Sequence, residues 1–180
     1  MISVPGPRNT YYVVESADTN GAFAECFLES AHPLFPEPAV AGLLVLGDGR
    51  YVMQLRDSKP EIFYPGHWGC FGGAISDGEA PLEALRRELD EELEFRLRDA
   101  VEFTRFDFDF SNVGKSKTTR IFYEVRVSDA EFGMFVLHEG SAFEAIDGRD
   151  LLLHRRVTPY DAFAIWMHMN KKRFDTGKIT

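Results

Sequence analysis

The sequence predicts an α+β sandwich, and three observations carry that prediction. An apolar run at 39–46 turns back through Gly47-Asp48-Gly49 into a second strand pattern. A further hairpin pattern lies at 103–127. One long amphipathic helical pattern, at 80–95, stands between them.

Taken in order, residues 1–38 are set apart by composition, because five of the nine prolines fall there. A short strand is expected at 11–15 and a short helix at 22–30, as an N-terminal elaboration packed on a main domain of residues 39–180. The run Ala39–Leu46 has strand length, and 51–56 reads as its return. A loop with proline and glycine follows at 57–69, then Phe71-Gly72-Gly73. In the helix at 80–95, Leu82, Leu85, Leu89 and Leu93 share one stripe, and Pro81 sits where a first-turn proline belongs. The alternation at 103–110 suits a strand, Asn112 to Gly114 breaks it, and 118–127 is the hairpin partner. The stretch 132–153 has no decisive pattern. Thr158, Pro159 and Asp161 mark a capped helix start, with the helix expected to run to about Lys172. Most of the 16 phenylalanines are expected in the core.

Composition narrows the function. Hydrophobic residues make up 44% and charged residues 27%, which is ordinary globular usage and excludes disordered, collagen-like and fibrous chains. No apolar stretch reaches membrane-spanning length, and no secretory leader is expected. A net charge of −9 disfavours contact with nucleic-acid backbones but allows a small phosphate compound bridged by metal cations. Cys26 and Cys70 form no CxxC pair, as suits free thiols in a reducing cytoplasm. The five histidines show no zinc-ligand spacing.

The helix at 80–95 carries the chemistry. Between Glu79 and Glu94 stand seven acids and two bases, a net −5 of the chain's −9. Glu88, Glu91 and Glu92 fall within one arc of about 100°. Like charges at that spacing cost roughly 0.2–0.5 kcal/mol per pair, and the helix dipole disfavours anions near its C-terminal end. A hard divalent cation relieves both penalties. The bland alternative is a solvated acidic face. Gly72-Gly73 just upstream permits close backbone approach, so a main-chain carbonyl could also reach an ion.

From Gly73 the chain reads five residues, Glu79, seven residues, Arg87-Glu88-Leu89, one residue, Glu91-Glu92, one residue, Glu94, Phe95. This resembles the Nudix box, with Glu94 in place of its last glycine and aromatic Phe95 at its terminal aliphatic position. Gln54-Leu55-Arg56 and Trp68 add to the resemblance, which spans roughly residues 39–172. It implies a Nudix α/β/α sandwich with a mixed central sheet, and a hydrolase of nucleoside diphosphates linked to a further moiety. It implies Mg²⁺, with Mn²⁺ as a substitute, held by Glu88, Glu91, Glu92 and the Gly72 carbonyl. Glu88 would bind metal or take the proton from the attacking water. Arg87 would pair with Glu79 and orient the cluster. Glu139, before Gly140, resembles the loop acid that some members use as a further ligand; a plain turn acid is the alternative. His138 is expected at the surface, and Asp107 and Asp109 toward solvent or the cleft. With Glu94 where glycine is usual, either a strained residue ends the helix or the helix runs longer.

No tyrosine marks a diadenosine-polyphosphate hydrolase, no proline marks an ADP-ribose hydrolase, and the segment before Gly72 does not fit the coenzyme A pattern. Nucleoside triphosphates, damaged ones included, or nucleotide sugars are left. The expected partners are a small-molecule nucleotide, with no long nucleic acid and no membrane, and a homodimer as the candidate assembly. A Nudix fold that senses a nucleotide without cleaving it is the rival reading. The retained Glu79, Arg87, Glu88, Glu91 and Glu92 favour the enzyme.

Overall fold

The structure, a computed structural model, describes residues 36–59 and 61–175. The strand and helix expected at 11–15 and 22–30, and Cys26, lie outside the described residues. Along the chain run β1 (Ala39–Leu46), β2 (Tyr51–Leu55), β3 (Trp68–Gly69), α1 (Pro81–Leu93), β4 (Val101–Phe108), a 3-10 turn (Ser111–Val113), β5 (Thr118–Val127), α2 (Asp129–Phe132), β6 (Ala142–Ile146), α3 (Gly148–His154), α4 (Pro159–Met169) and α5 (Lys171–Asp175).

Strand β1 is apolar throughout because both its faces are covered. Val40, Leu44 and Leu46 join Ala84, Leu85, Leu89 and Leu93 of α1 in one core. Ala41, Leu43 and Val45 join Leu151 of α3 and Ala164 and Ile165 of α4 in the other. Alternate residues of a strand point to opposite faces, so one strand serves two cores and the sheet is sandwiched between helices. Across the sheet the order is β3-β2-β1-β5-β4, with β6 pairing to β2. β1 runs parallel to β5 and antiparallel to β2, so the sheet is mixed, as expected.

One irregularity in this sheet builds the site. The β1–β2 pairing is confined to Leu44↔Val52 and Val45↔Tyr51. Beyond it, the chain at 68–74 fills the opening, pairing Gly69 and Trp68 with β2, and Phe71 and Ala74 with β1. The two glycines at 72 and 73 therefore lie in the middle of the sheet rather than in a surface turn.

Three expectations need correction. The expected strand at 103–110 spans Val101–Phe108. The C-terminal helix ends at Met169, and Lys171–Asp175 forms a separate short helix. Thr158 occupies the N-cap of α4, but its hydroxyl caps nothing. Asp161 turns inward instead, accepting a hydrogen bond from Cys70 N at 2.9 Å. Most of the described phenylalanines are in the core as expected: Phe71, Phe95 and Phe122 are buried, and Phe103, Phe106, Phe132, Phe135 and Phe143 pack against the two cores. The undecided stretch 132–153 holds the end of α2, then β6 and most of α3. Cys70 is a free, buried thiol. Among the described residues no helix is long and apolar enough to cross a membrane.

Of the two outcomes open at Glu94, the structure takes the strained one. α1 stops at Leu93 and Glu94 adopts φ 54°, ψ 28°. The turn is closed by Glu94 N on Asp90 O (3.0 Å) and Phe95 N on Leu89 O (3.1 Å), and Phe95 packs on Phe135 with centroids 5.1 Å apart. The left-handed region costs an L-residue roughly 1–2 kcal/mol. Against that, Glu94 gains an exposed bond to His138 Nε2 at 2.8 Å, a kind of pair worth about 0–1 kcal/mol. Glu94→Gly should therefore stabilise the protein by about 0.5–1 kcal/mol, since glycine enters this conformation freely. A lower urea midpoint for the variant would contradict this.

Candidate active site

Space and backbone angle dictate glycine at 72, and glycine at 73 leaves room for the Glu88 carboxylate. A Cβ on Gly72, whose φ is +129°, would lie 2.4 Å from Val40 O. A Cβ on Gly73 would lie 2.5 Å from the carboxyl carbon of Glu88. Phe71 O and Gly73 O accept from Gly42 N and Val40 N of β1. Among the described residues no such bond engages the Gly72 carbonyl between them.

Helix α1 lays its carboxylates against this turn. Glu92 is only 5% exposed. It accepts from Gly72 N at 3.0 Å and from Gln54 Nε2 at 3.3 Å. Burial pushes its carboxyl up to about 8, against the Gly72 N–H, which lowers it; the charges of Glu139 and Glu88 add to the rise. Glu88 is also raised, first by burial and then by the charges of Glu91 and Glu139, with Arg87 opposing. Glu139 rides on a loop tied down on two sides. His138 N donates to Glu92 O (2.9 Å) and Ser141 N to Leu55 O (2.8 Å). Gln54 Nε2 donates to Glu139 O at 2.9 Å. Gly140 has φ +87°, and a Cβ there would press on Gln54 and Leu55 O. Gly72, Glu88, Glu92 and Glu139 all line one cleft of about 530 Å³.

Arg87 forms a brace beside the cleft. Its Nε and Nη2 grip the two oxygens of Glu79 at 3.0 Å each, Nη1 reaches Glu88 at 2.7 Å, and Nη2 also donates to Ala74 O. The Arg87 bonds, aided by Ser76 N, hold the Glu79 carboxyl at about 2. Glu91 belongs to this brace rather than to the cleft: it is 60% exposed and 3.3 Å from Arg87 Nη1. Among the described residues no three His, Cys, Asp or Glu side chains stand close enough together to hold a metal ion. The donor set nonetheless suits a hard divalent cation. Glu88 and Glu92 offer oxygen only, and burial and mutual repulsion oppose their charge, which a cation would relieve.

The far wall of the cleft differs. It is formed by Arg56, Tyr64, Phe108, Phe110, Arg120 and Tyr160 among others. Sequence reasoning noted Arg56 only as part of the resemblance, missed the others, and missed the roles of Gln54 and Asp161. The signal for the wall was the alternation at 103–110, read as core. Asp107 and Asp109 are not among the cleft's lining residues; they are bonded to Thr119 (2.6 Å) and Lys117 (3.0 Å). His138 is at the surface, as expected.

Three comparisons place the chain among known proteins. A profile of the NUDIX domain matches residues 36–167. Nucleoside triphosphatase NudI of Enterobacter sp. (strain 638) is 41% identical over 54 residues, 30% of this chain and 38% of that protein. The chain thus spans little more than a third of the length of this curated relative. In fold it is similar to a MutT protein from Methanosarcina mazei Go1, with a TM-score of 0.59, 16% identity, and coverage of 78% of this chain and 98% of that one. It is also similar to the NUDIX domain of Shewanella oneidensis NrtR, solved in complex with ADP ribose, with a TM-score of 0.60, 15% identity, and coverage of 81% and 96%.

The brace makes a prediction about pH. The Glu79 carboxyl sits below its ordinary 4.5. Its contribution to stability is therefore present above pH 4.5 and is lost as the pH falls from there through about 2. In Arg87→Met, a carboxyl-detected NMR titration should show Glu79 moving up toward its ordinary value. An unmoved Glu79 would mean that Arg87 is not what holds it down.

Proposed function

The chain belongs to the NUDIX family, and from that premise we propose that it is a divalent-metal-dependent pyrophosphohydrolase. Its substrate is a nucleoside diphosphate linked to a further group, such as a nucleoside triphosphate or a nucleotide sugar. The observation that carries this reading is the convergence of Glu88, Glu92, Glu139 and Gly72 on one end of a cleft whose other end is aromatic. NudI is named a nucleoside triphosphatase and the NrtR domain holds ADP ribose, which supports a small nucleotide ligand.

Each residue's part follows from its surroundings. Glu88, Glu92, Glu139 and the Gly72 carbonyl would hold Mg²⁺ or Mn²⁺, and Glu91 would join them on leaving Arg87. The bound ion would supply charge neutralisation of the diphosphate and a more acidic water. Water oxygen attacks phosphorus, the anhydride P–O bond breaks, and a carboxylate of this set takes the water's proton. Glu88 is our choice for that proton or for a ligand position, since Arg87 fixes it 2.7 Å away and Gly73 leaves it room. Arg87 and Glu79 are positioning residues: they orient Glu88 and touch no substrate. Gln54 does the same for Glu92 and the Glu139 loop.

With Mg²⁺ and a panel of nucleotides, Glu88→Gln and Glu92→Gln should each lower turnover by about 100-fold or more, the scale of a lost acid–base or ligand group. The fold should survive, because each change keeps the shape while removing a charge that burial opposes. Nucleotide binding without turnover in the parent protein would favour the sensor reading. Glu139→Gln should lower turnover and raise the Mg²⁺ concentration needed for half-maximal rate; unchanged values for both would remove it from the site.

A further inference from the structure

A row of aromatic rings leaves the cleft and runs over the surface. Phe108, in the cleft wall, lies edge-on to Phe106 with centroids 6.4 Å apart. Phe106 meets Phe163 of α4 at 5.5 Å. Phe163 stacks on Trp166 at 5.9 Å, with planes at 8°. Trp166 meets Phe174 of α5 at 6.2 Å. The outer rings are open: Phe163 is 53%, Trp166 43% and Phe174 59% exposed. Single exposed apolar residues are ordinary, but a continuous row of large rings marks a surface that something covers.

The chain itself supplies a cover with the right reach. Residues 1–35 enter the described structure at Pro36, which lines the cleft together with Phe108 and Phe110. The segment therefore joins the domain at one end of the row. Phe108 and Trp166 are separated by three centroid steps of 5.5–6.4 Å. An extended chain covers roughly 3.3 Å per residue, so the stretch 31–36 spans up to roughly 20 Å. That is about the length of the row, and it brings residues 22–30 within reach of Phe163 and Trp166.

The segment also matches the surface chemically. In the helix expected at 22–30, Phe23, Ala24, Phe27 and Leu28 share one face, and Glu25 and Glu29 the other. An apolar stripe would thus meet the rings while its acids stay in water. Residues 1–35 carry four acids and one arginine, a net negative segment. At the far end of the row, Lys171, Lys172 and Arg173 precede Phe174 in α5, so opposite charge draws the segment to that end. We propose that residues 22–30 dock on the Phe163–Trp166–Phe174 row of their own chain and cover it with Phe23 and Phe27. Docking there would also hold Pro36 and Glu37 at the cleft, which both line. The proposal is independent of the hydrolase reading, and none of its readouts is turnover.

Hydrogen exchange on the full chain at low concentration tests it. The amides of 22–30 should exchange at least about tenfold more slowly than those of an unstructured chain. Phe163→Ser combined with Trp166→Ser alters only exposed rings, and should abolish that protection while the amides of β1 and β5 stay protected. Phe23→Ser combined with Phe27→Ser probes the same contact from the other side. It should red-shift tryptophan emission and raise quenching by iodide; Trp68 is buried, so the change reports on Trp166. Unprotected 22–30 amides in the parent would leave the row to a separate partner and overturn the proposal. So would protection that survives the loss of both rings, or tryptophan emission and quenching unchanged by the Phe23 and Phe27 substitutions. Protection that grows with protein concentration, as sedimentation shows a dimer forming, would assign the row to a second copy and overturn it too.

Discussion

The architecture depends on one buried carboxylate. Glu92 sits near the C-terminal end of α1, where burial and the helix dipole both oppose its charge. Two donors from elsewhere in the chain hold it: the Gly72 N–H inside the sheet and the Gln54 amide on β2. Through those bonds the helix is keyed to the glycine turn, and through Gln54 and His138 N the Glu139 loop is keyed to the helix. Remove these constraints and the two acids of α1 and Glu139, some fifty residues on, have no reason to share a cleft. An ordinary core would not hold a carboxylate in this state, so the arrangement reads as one kept for a ligand rather than for stability.

The fold supplies what that carboxylate needs. The apolar β1, buried on both faces, lets α1 pack close on one side while α3 and α4 close the other. The early parting of β1 and β2 admits the glycine turn into the sheet. There the absence of side chains at 72 and 73 gives Glu92 a backbone donor and Glu88 its space. On the C-terminal side, His168 bonds Tyr51 (2.7 Å) and Glu124 (2.8 Å), fixing α4 and with it the Asp161–Arg120 pair at the cleft's far end.

Much of this was legible in the sequence because it is local. The run at 39–46, the leucine stripe of α1 and the hairpin at 118–127 are periodic patterns, and the box fixes Glu79, Arg87, Glu88, Glu91 and Glu92 by spacing alone. The structure puts Glu88 and Glu92 in the cleft and Glu91 on Arg87; the i,i+4 spacing allowed that pairing, but spacing alone does not say which of the three acids the cleft takes. What stayed illegible is long-range. Gln54 meets Glu92 across 38 residues and Glu139 across 85, and Asp161 meets Cys70 across 91. Asp161 reads as a capping residue until the sheet places Cys70 N beside it. Phe108 and Phe110 read as core because alternation tells which residues share a face, not whether that face is covered.

The central claim is that the acids converging on Gly72 form a divalent-cation site, and paramagnetic NMR tests it without reference to any substrate. With side-chain carboxyls labelled, substoichiometric Mn²⁺ should broaden the Glu88, Glu92 and Glu139 signals first. The acids on the outer side of α1, Glu83 and Asp90, should stay sharp. Broadening of Glu83 and Asp90 with Glu88 and Glu92 unaffected would mean that the helix is only an acidic surface, and the account would fail.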